Sequence, residues 1–444
     1  MSHLSRSTIL VLTLLAAGCE KAPEAGKTDP HAAPGSAAPA AGKGKQAVPP
    51  APAKREMPKF GPLTEEAARA VLKKELDSLG GDDLSRRTLL YLADLGDRSA
   101  VNAIHDKLLT QHEGQYEDPS GAAVGVEALL AYKEAAAGAM ALKLAKQAID
   151  EQTVDEYVVH MLARVEGAER AEAVSQLMKI AAGDDEFAAA AAVSALGAIA
   201  APEAKDLLAK MSGDKALDGR IRGAAVAGLL HVGDARGPAA ADALIQEAMT
   251  EQPAPPAGKP MAPPAEGADL HPEPEDVLGG LGVDGAVEAA PYVRKLMDLV
   301  IAQDAFAMIA APEAASSLLR IFVKGGGTDL IPWLHQIAKN EEVDLEAESA
   351  LALWALGDEG AAVDVATQLE SMIAAYIPPQ GTEPMIEILD AAARRGVAAK
   401  MPLRPAVESA AQMTSPPGTK DGSDLGLREM KVAAAHAFLK SSGK

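Results

Sequence analysis

Leu229-Leu230-His231-Val232-Gly233-Asp234 closes one helical pattern and starts another. Leucines at the end of an apolar stripe stop at Gly233, a residue that takes the left-handed backbone conformation at little cost and so ends a helix. Asp234 follows, a side chain suited to capping the amide donors of the next helix. The same turn stands at Leu92-Ala93-Asp94-Leu95-Gly96-Asp97 and at Leu353-Trp354-Ala355-Leu356-Gly357-Asp358. Looser copies are Leu162-Ala163-Arg164-Val165-Glu166-Gly167 and Ala195-Leu196-Gly197-Ala198-Ile199-Ala200.

Anchoring each copy on the residue after its last apolar position gives Gly96, Lys133, Glu166, Ala200 and Gly233, spaced 37, 33, 34 and 33 residues apart. Further along, Ala310, Gly357 and Arg395 follow at 47 and 38. A period of that length holds two helices of about a dozen residues plus turns, the unit of a stacked hairpin array. Ile-Ala-Ala-Pro-Glu-Ala occurs twice, from Ile199 and from Ile309, with Pro202 and Pro312 placed where a helix begins and no amide donor is needed. No alternating strand segment stands out, so the expected fold is all-α.

From Ala189 to Gly233 the pattern Ala-Ala-Val-Ser-Ala-Leu-Gly-Ala-Ile-Ala-Ala-Pro-Glu-Ala, with Arg220-Ile221-Arg222-Gly223-Ala224-Ala225 after it, resembles the HEAT-like repeats first associated with phycobilin lyases. The resemblance implies an α-solenoid with an extended concave binding face. The Trp, Tyr and Phe landmarks of the similarly long tetratricopeptide repeats are missing.

Outward from the repeats, two stretches read as linkers. Residues 19–62 are Ala, Pro, Gly and Lys with hardly a large apolar side chain, and such a segment buries too little surface to offset ordering. Residues 251–285 carry Pro253, Pro255, Pro256, Pro260, Pro263, Pro264, Pro272 and Pro274, a density that predicts no helix. The repeats then occupy residues 63–250 and 286–444, as one array or two domains.

Residues 1–18 read as a secretory signal: a polar start with Arg6, an uncharged run from Ser7 to Ala17, and a small-residue cleavage site. That run is about half the ~20 residues a membrane span needs. Leu15-Ala16-Ala17-Gly18-Cys19 resembles a bacterial lipobox, which implies cleavage before Cys19, lipid on its sulfur and a stable membrane anchor. Glu20 after the cysteine implies sorting to the outer membrane under the enterobacterial rule. The expected location is the cell envelope, facing the periplasm or the cell surface. Cys19 is the one cysteine of 444 residues, so no disulfide forms within the chain, and stability must come from packing.

Formal charge is −21, with 42 Lys/Arg against 63 Asp/Glu, and residues 1–62 run the other way with eight against four. So acidic a body disfavours nucleic acid and anionic lipid as partners.

Catalytic constellations are scarce. Deoxyhypusine hydroxylase, a HEAT-like enzyme, builds a di-iron site from several His-Glu pairs, whereas here His112-Glu113 stands singly. His105 and His112, seven apart, would share a face of an unbroken helix with Asp106 and Glu113, but close helical metal-ligand spacing is absent. His31, His160, His231, His271, His335 and His436 are scattered singly and read as structural or surface residues.

Gly280-Leu281-Gly282-Val283-Asp284-Gly285 has dinucleotide-binding spacing without the preceding strand that chemistry needs, and reads as a flexible lead into the next helix. Gly325-Gly326-Gly327-Thr328 reads as a turn. Arg86-Arg87 and Arg220 with Arg222 start helices, where an anion contact competes with pairing to neighbouring Asp82, Asp83 and Asp218.

The expectation is a lipid-anchored, non-enzymatic interaction scaffold for an envelope protein or peptide, with no catalytic, cofactor or metal residues and no small-molecule substrate. The alternatives are a lyase-like or small-molecule-binding protein on the same array, and a passive envelope spacer.

Overall fold

Five helices of one row begin at a capping aspartate, and four of those five end at a left-handed residue. A computed structural model describes residues 60–183, 185–250, 270–282, 286–302, 331–339, 346–376, 381–395, 402–414 and 424–441. Cys19, the signal and nearly all of the tether lie outside them, as do Ala310, the second hexapeptide and Gly325 to Thr328.

The helices are α1 Glu65–Glu75, α2 Asp83–Asp94, α3 Ala100–Lys107, α4 Pro119–Ala131, α5 Ala137–Asp150, α6 Glu156–Ala163 and α7 Arg170–Ala181. They continue as α8 Glu186–Ala198, α9 Lys205–Gly213, α10 Gly219–His231, α11 Gly237–Ala248, α12 Pro274–Leu281 and α13 Ala290–Ala302. The last are α14 Ile331–Ile337, α15 Glu346–Ala355, α16 Ala362–Ala375, α17 Glu383–Arg395, α18 Arg404–Gln412 and α19 Leu425–Ser441. The fold is mostly helical, as expected. Among the described residues the strands are the two-residue β1 Gln111–His112 and β2 Gln115–Tyr116, joined by Glu113 and Gly114 at φ 51° and 86°.

Asp82, Asp118, Asp155, Asp185 and Asp218 accept from the first-turn amides of α2, α4, α6, α8 and α10. A side-chain acceptor there satisfies donors that the helix itself leaves unpaired. At the other ends of α2, α4, α8 and α10, Gly96, Lys133, Ala200 and Gly233 have φ of 65°, 58°, 48° and 65°. After each of these, the next amide returns to a leucine carbonyl: Asp97 to Leu92, Glu134 to Leu129, Ala201 to Leu196 and Asp234 to Leu229.

Two expectations about this turn need correction. In the third copy the left-handed residue is Gly167, φ 73°, not the Glu166 anchor, because the helix has already ended at Ala163. Asp97 and Asp234 receive the amides of Ser99 and Arg236, two residues on, so they close the turn before α3 and α11 rather than cap those helices.

The even-numbered helices α2 to α12 pack consecutively, each on the next. Leu92, Leu129, Leu162, Leu196 and Leu229, at like positions of successive helices, are no more than 1% exposed. Shortening a leucine so enclosed costs about 2–5 kcal/mol. Glycines let the backbones approach: a Cβ on Gly228 would lie 2.9 Å from the Gly197 Cα, and one on Gly280 would strike the Arg220 carbonyl.

Gly280 therefore sits inside α12, which packs on α10; it is a contact residue and not a flexible lead. The proline-rich stretch correspondingly ends sooner than expected, because Pro274 takes the helix-starting position of α12, where proline is tolerated.

Past the proline-rich stretch, α15 packs on α17 and α17 on α19, and α19 then packs against α1 and α2. Helices from both sides of that stretch thus belong to one packed unit.

Candidate functional site

The meeting of α2 with α17 and α19 creates a cleft. Helical spacing puts Arg87, Tyr91 and Asp94 along one side of α2, Asp390 and Arg394 one turn apart on α17, and His436 and Lys440 one turn apart on α19. The ends of α4 and α6 complete the wall with Leu130, Lys133, Ala163 and Arg164. The cleft is open to solvent and has a volume of about 1080 Å³.

On the closing side, His436 lies flat on Tyr91, with ring centroids 4.1 Å apart. The Tyr91 hydroxyl donates to Asp390 Oδ1 at 2.6 Å, and His436 Nε2 lies 2.7 Å from Asp94 Oδ2. Lys440 Nζ donates to Asp94 Oδ1 at 3.2 Å. The His436 hydrogen bond, with Lys440 behind it, holds the Asp94 carboxyl down at about 2. Burial, reinforced by Asp390, pushes the Tyr91 phenol well above its usual range, so it stays a neutral donor. Arg87 donates to Glu383 Oε1 at 2.7 Å and stands 3.8 Å from Asp390.

Below the cleft, Glu127 of α4 is fully buried. It receives Arg86 Nε at 2.6 Å, Arg86 Nη2 at 2.8 Å and Arg164 Nε at 2.7 Å. Burial raises the Glu127 carboxyl, but the two guanidiniums outweigh it and keep it below the ordinary value. His160 stands beside them; burial, then Arg86, makes its ring harder to protonate. At the mouth, Lys133, Arg394 and Glu166 make no ion pair among the described residues and face solvent.

The sequence candidates fall elsewhere or take other partners. His105 is exposed on α3, which stops at Lys107, and His112 is exposed on β1, so the unbroken helix that would align them does not exist. His112 lies 4.0 Å from Glu113. Among the described residues no three His, Cys, Asp or Glu side chains are grouped to hold a metal ion.

Arg86, Arg87 and Arg222 bond acids on other helices, Glu127, Glu383 and Glu247, instead of their sequence neighbours. Tyr91, Asp94, Glu127, Asp390 and Lys440 escaped sequence reasoning. His436, read there as structural or surface, is 6% exposed and lines the cleft. No spacing rule links Asp94 to a histidine 342 residues away.

No family model matches this chain, and no curated protein matches it.

Proposed function

We propose that this chain is a lipid-anchored binding protein of the cell envelope, a HEAT-like α-solenoid tethered through Cys19 that docks an envelope protein or peptide in the α2–α17–α19 cleft. The observation that carries the reading is the cleft itself: about 1080 Å³, with charges of both signs at its mouth and an aromatic pair on one wall. Consecutive packing of α2 to α12 supports the solenoid. The interior-facing acids are already bonded to tyrosine, histidine, lysine or arginine, an arrangement suited to holding a shape for a ligand.

A photo-crosslinking residue at Ala131, inside the cleft, tests it in envelope extracts against the same residue at exposed Glu203, which does not line the cleft. The expected result is one discrete adduct from Ala131 alone, lost in the Lys133→Glu/Arg394→Glu variant. Equal smears from both positions sink the docking reading. Membrane fractionation of Cys19→Ala tests the anchor separately: the variant should become soluble with its helical content unchanged.

A small-molecule site is the second reading, favoured by the convergence of Tyr91, Asp94, Asp390 and His436 on one cavity. Native mass spectrometry of gently purified protein would then reveal a bound mass that disappears in His436→Ala.

A further inference from the structure

The geometry points to a peptide carboxylate as the group the cleft recognises, with Arg164 as its main contact and Lys133 and Arg394 in support. The inference rests on the docking role proposed above and names the chemistry of what docks.

The last turns of five helices converge on the cleft. Asp94 of α2, Ala131 of α4, Ala163 of α6, Arg394 of α17 and Lys440 of α19 each stand in the final turn of their helix and line the cavity. Helix ends of this kind carry partial negative charge, so cations beside them are ordinary. What a ligand meets is decided by which charges stay free.

The acids of the wall are mostly occupied. Asp94 holds His436 and Lys440, Asp390 accepts from Tyr91, and Glu134 accepts from Arg98. Glu166 and Glu169, between α6 and α7, are the lining acids with no ion pair among the described residues. Of the cations, Lys440 is taken by Asp94, whereas Lys133 and Arg394 are exposed and unpaired among the described residues.

Arg164 combines a fixed end with a free one. Its Nε donates to Glu127 Oε1 at 2.7 Å, and the buried Glu127 is itself held by two bonds from Arg86. The Arg164 side chain is nevertheless 45% exposed, and its two Nη groups bond nothing among the described residues. A guanidinium oriented at Nε and open at the Nη fork matches the two oxygens of a carboxylate.

The same walls offer acceptors. Turn amides after α4 and α6 take the carbonyls of Leu129, Leu130, Met161 and Leu162, which leaves those of Ala131 and Ala163 without a partner among the described residues. A peptide answers both needs, with one carboxylate for the cations and backbone amides for the carbonyls and for Glu166 and Glu169. A phosphate brings more negative charge and few donors, which the helix ends and the −21 charge of the chain oppose. About 1080 Å³ is room for several residues.

Retention of degenerate pentapeptides by the full chain tests this, with bound peptides identified by mass spectrometry after size exclusion. The pools have a free or an amidated C-terminus, each made with and without Asp and Glu. Every pool with a carboxylate should be retained, and the amidated pool lacking Asp and Glu should be retained roughly tenfold less. Comparing the free-terminus pool lacking acids with the amidated pool containing them tells a terminal from a side-chain carboxylate. Arg164→Gln and Arg394→Gln should each lower retention roughly tenfold, while Arg236→Gln, outside the cleft, leaves it unchanged. Should Arg164→Gln misfold, Arg394→Gln has no ion pair to lose and still gives the reading. Equal retention of the carboxylate-free pool, unchanged retention in the folded Arg164→Gln and Arg394→Gln variants, or displacement by inorganic phosphate more readily than by acetate each overturns the assignment. Equal retention alongside a discrete Ala131 adduct removes the carboxylate and leaves the docking, whereas retention of no pool removes both.

Discussion

His436 lies against Tyr91 with their rings 8° from parallel, and the same imidazole reaches Asp94 one turn further along α2. One side chain of the last helix therefore makes both an aromatic and a polar contact with the second. Stacking contributes about 0.5–1.5 kcal/mol beyond area, and a hydrogen bond to a charged acceptor about 1.5–3. Since Asp94 remains half-exposed and can rehydrate, His436→Ala should cost about 1–3 kcal/mol in urea unfolding. A loss below 0.5 kcal/mol, on the order of an ordinary surface substitution, would mean the contact holds nothing together.

Glu127 lies out of water and pairs with the mostly buried Arg86 and the half-exposed Arg164. Glu127→Ala strands chiefly Arg86, since Arg164 can rehydrate, and should destabilise by about 3 kcal/mol, the low end for breaking a buried pair from one side. Arg86→Met combined with Glu127→Leu should recover much of that loss. Glu127 is held below its ordinary value, so its stabilising pairing is present above pH 4.5 and disappears as pH falls through the depressed value. The double variant should lack that acid sensitivity in a pH series of melting temperatures.

Ala200 adopts a φ of 48° where four of the other described repeat turns place glycine. An L side chain in that region carries about 1–2 kcal/mol of strain. Ala200→Gly should stabilise the protein by about 0.5–1 kcal/mol, part of the relief being offset by chain entropy. Gly280→Ala should do the opposite, by about 1–3 kcal/mol, because its methyl meets the backbone of Arg220. Thermal melts of the two variants should shift in opposite directions.

Asp276 on α12 faces Asp218, the cap of α10, and burial followed by that like charge pushes its carboxyl up to about 6. Its neutral form suits the α10–α12 contact, so stability should fall as pH rises from 3.8 through about 6. Asp276→Asn should flatten that part of the stability–pH curve relative to wild type. Parallel curves for the two proteins would place the proton elsewhere.

The repeat was legible because it is written locally: Leu92 to Asp97 and Leu229 to Asp234 contain both the acceptor leucine and the left-handed glycine of the turn. The proline-rich stretch was over-extended because Pro274 has two meanings, a helix breaker inside a helix and a good first residue at its start. The arginine partners were misjudged for another reason. Packing α2 against α4 and α17 brings Glu127 and Glu383 closer to these guanidiniums than acids adjacent in the chain, and nothing in a linear charge pattern reports that. The cleft is the extreme case, since its aromatic wall exists only after the last helix returns to the second.

The return of α19 to α1 and α2 also bears on how such a protein changes over generations. An open array gains or loses a hairpin by duplication or deletion, and its remaining interfaces survive the event. Here one added hairpin would push α19 out of reach of Asp94 and Glu75, and one lost would crowd it against them. Insertion or deletion of one hairpin should therefore unseat α19, whereas substitutions within the helices leave its contact with α1 and α2 in reach.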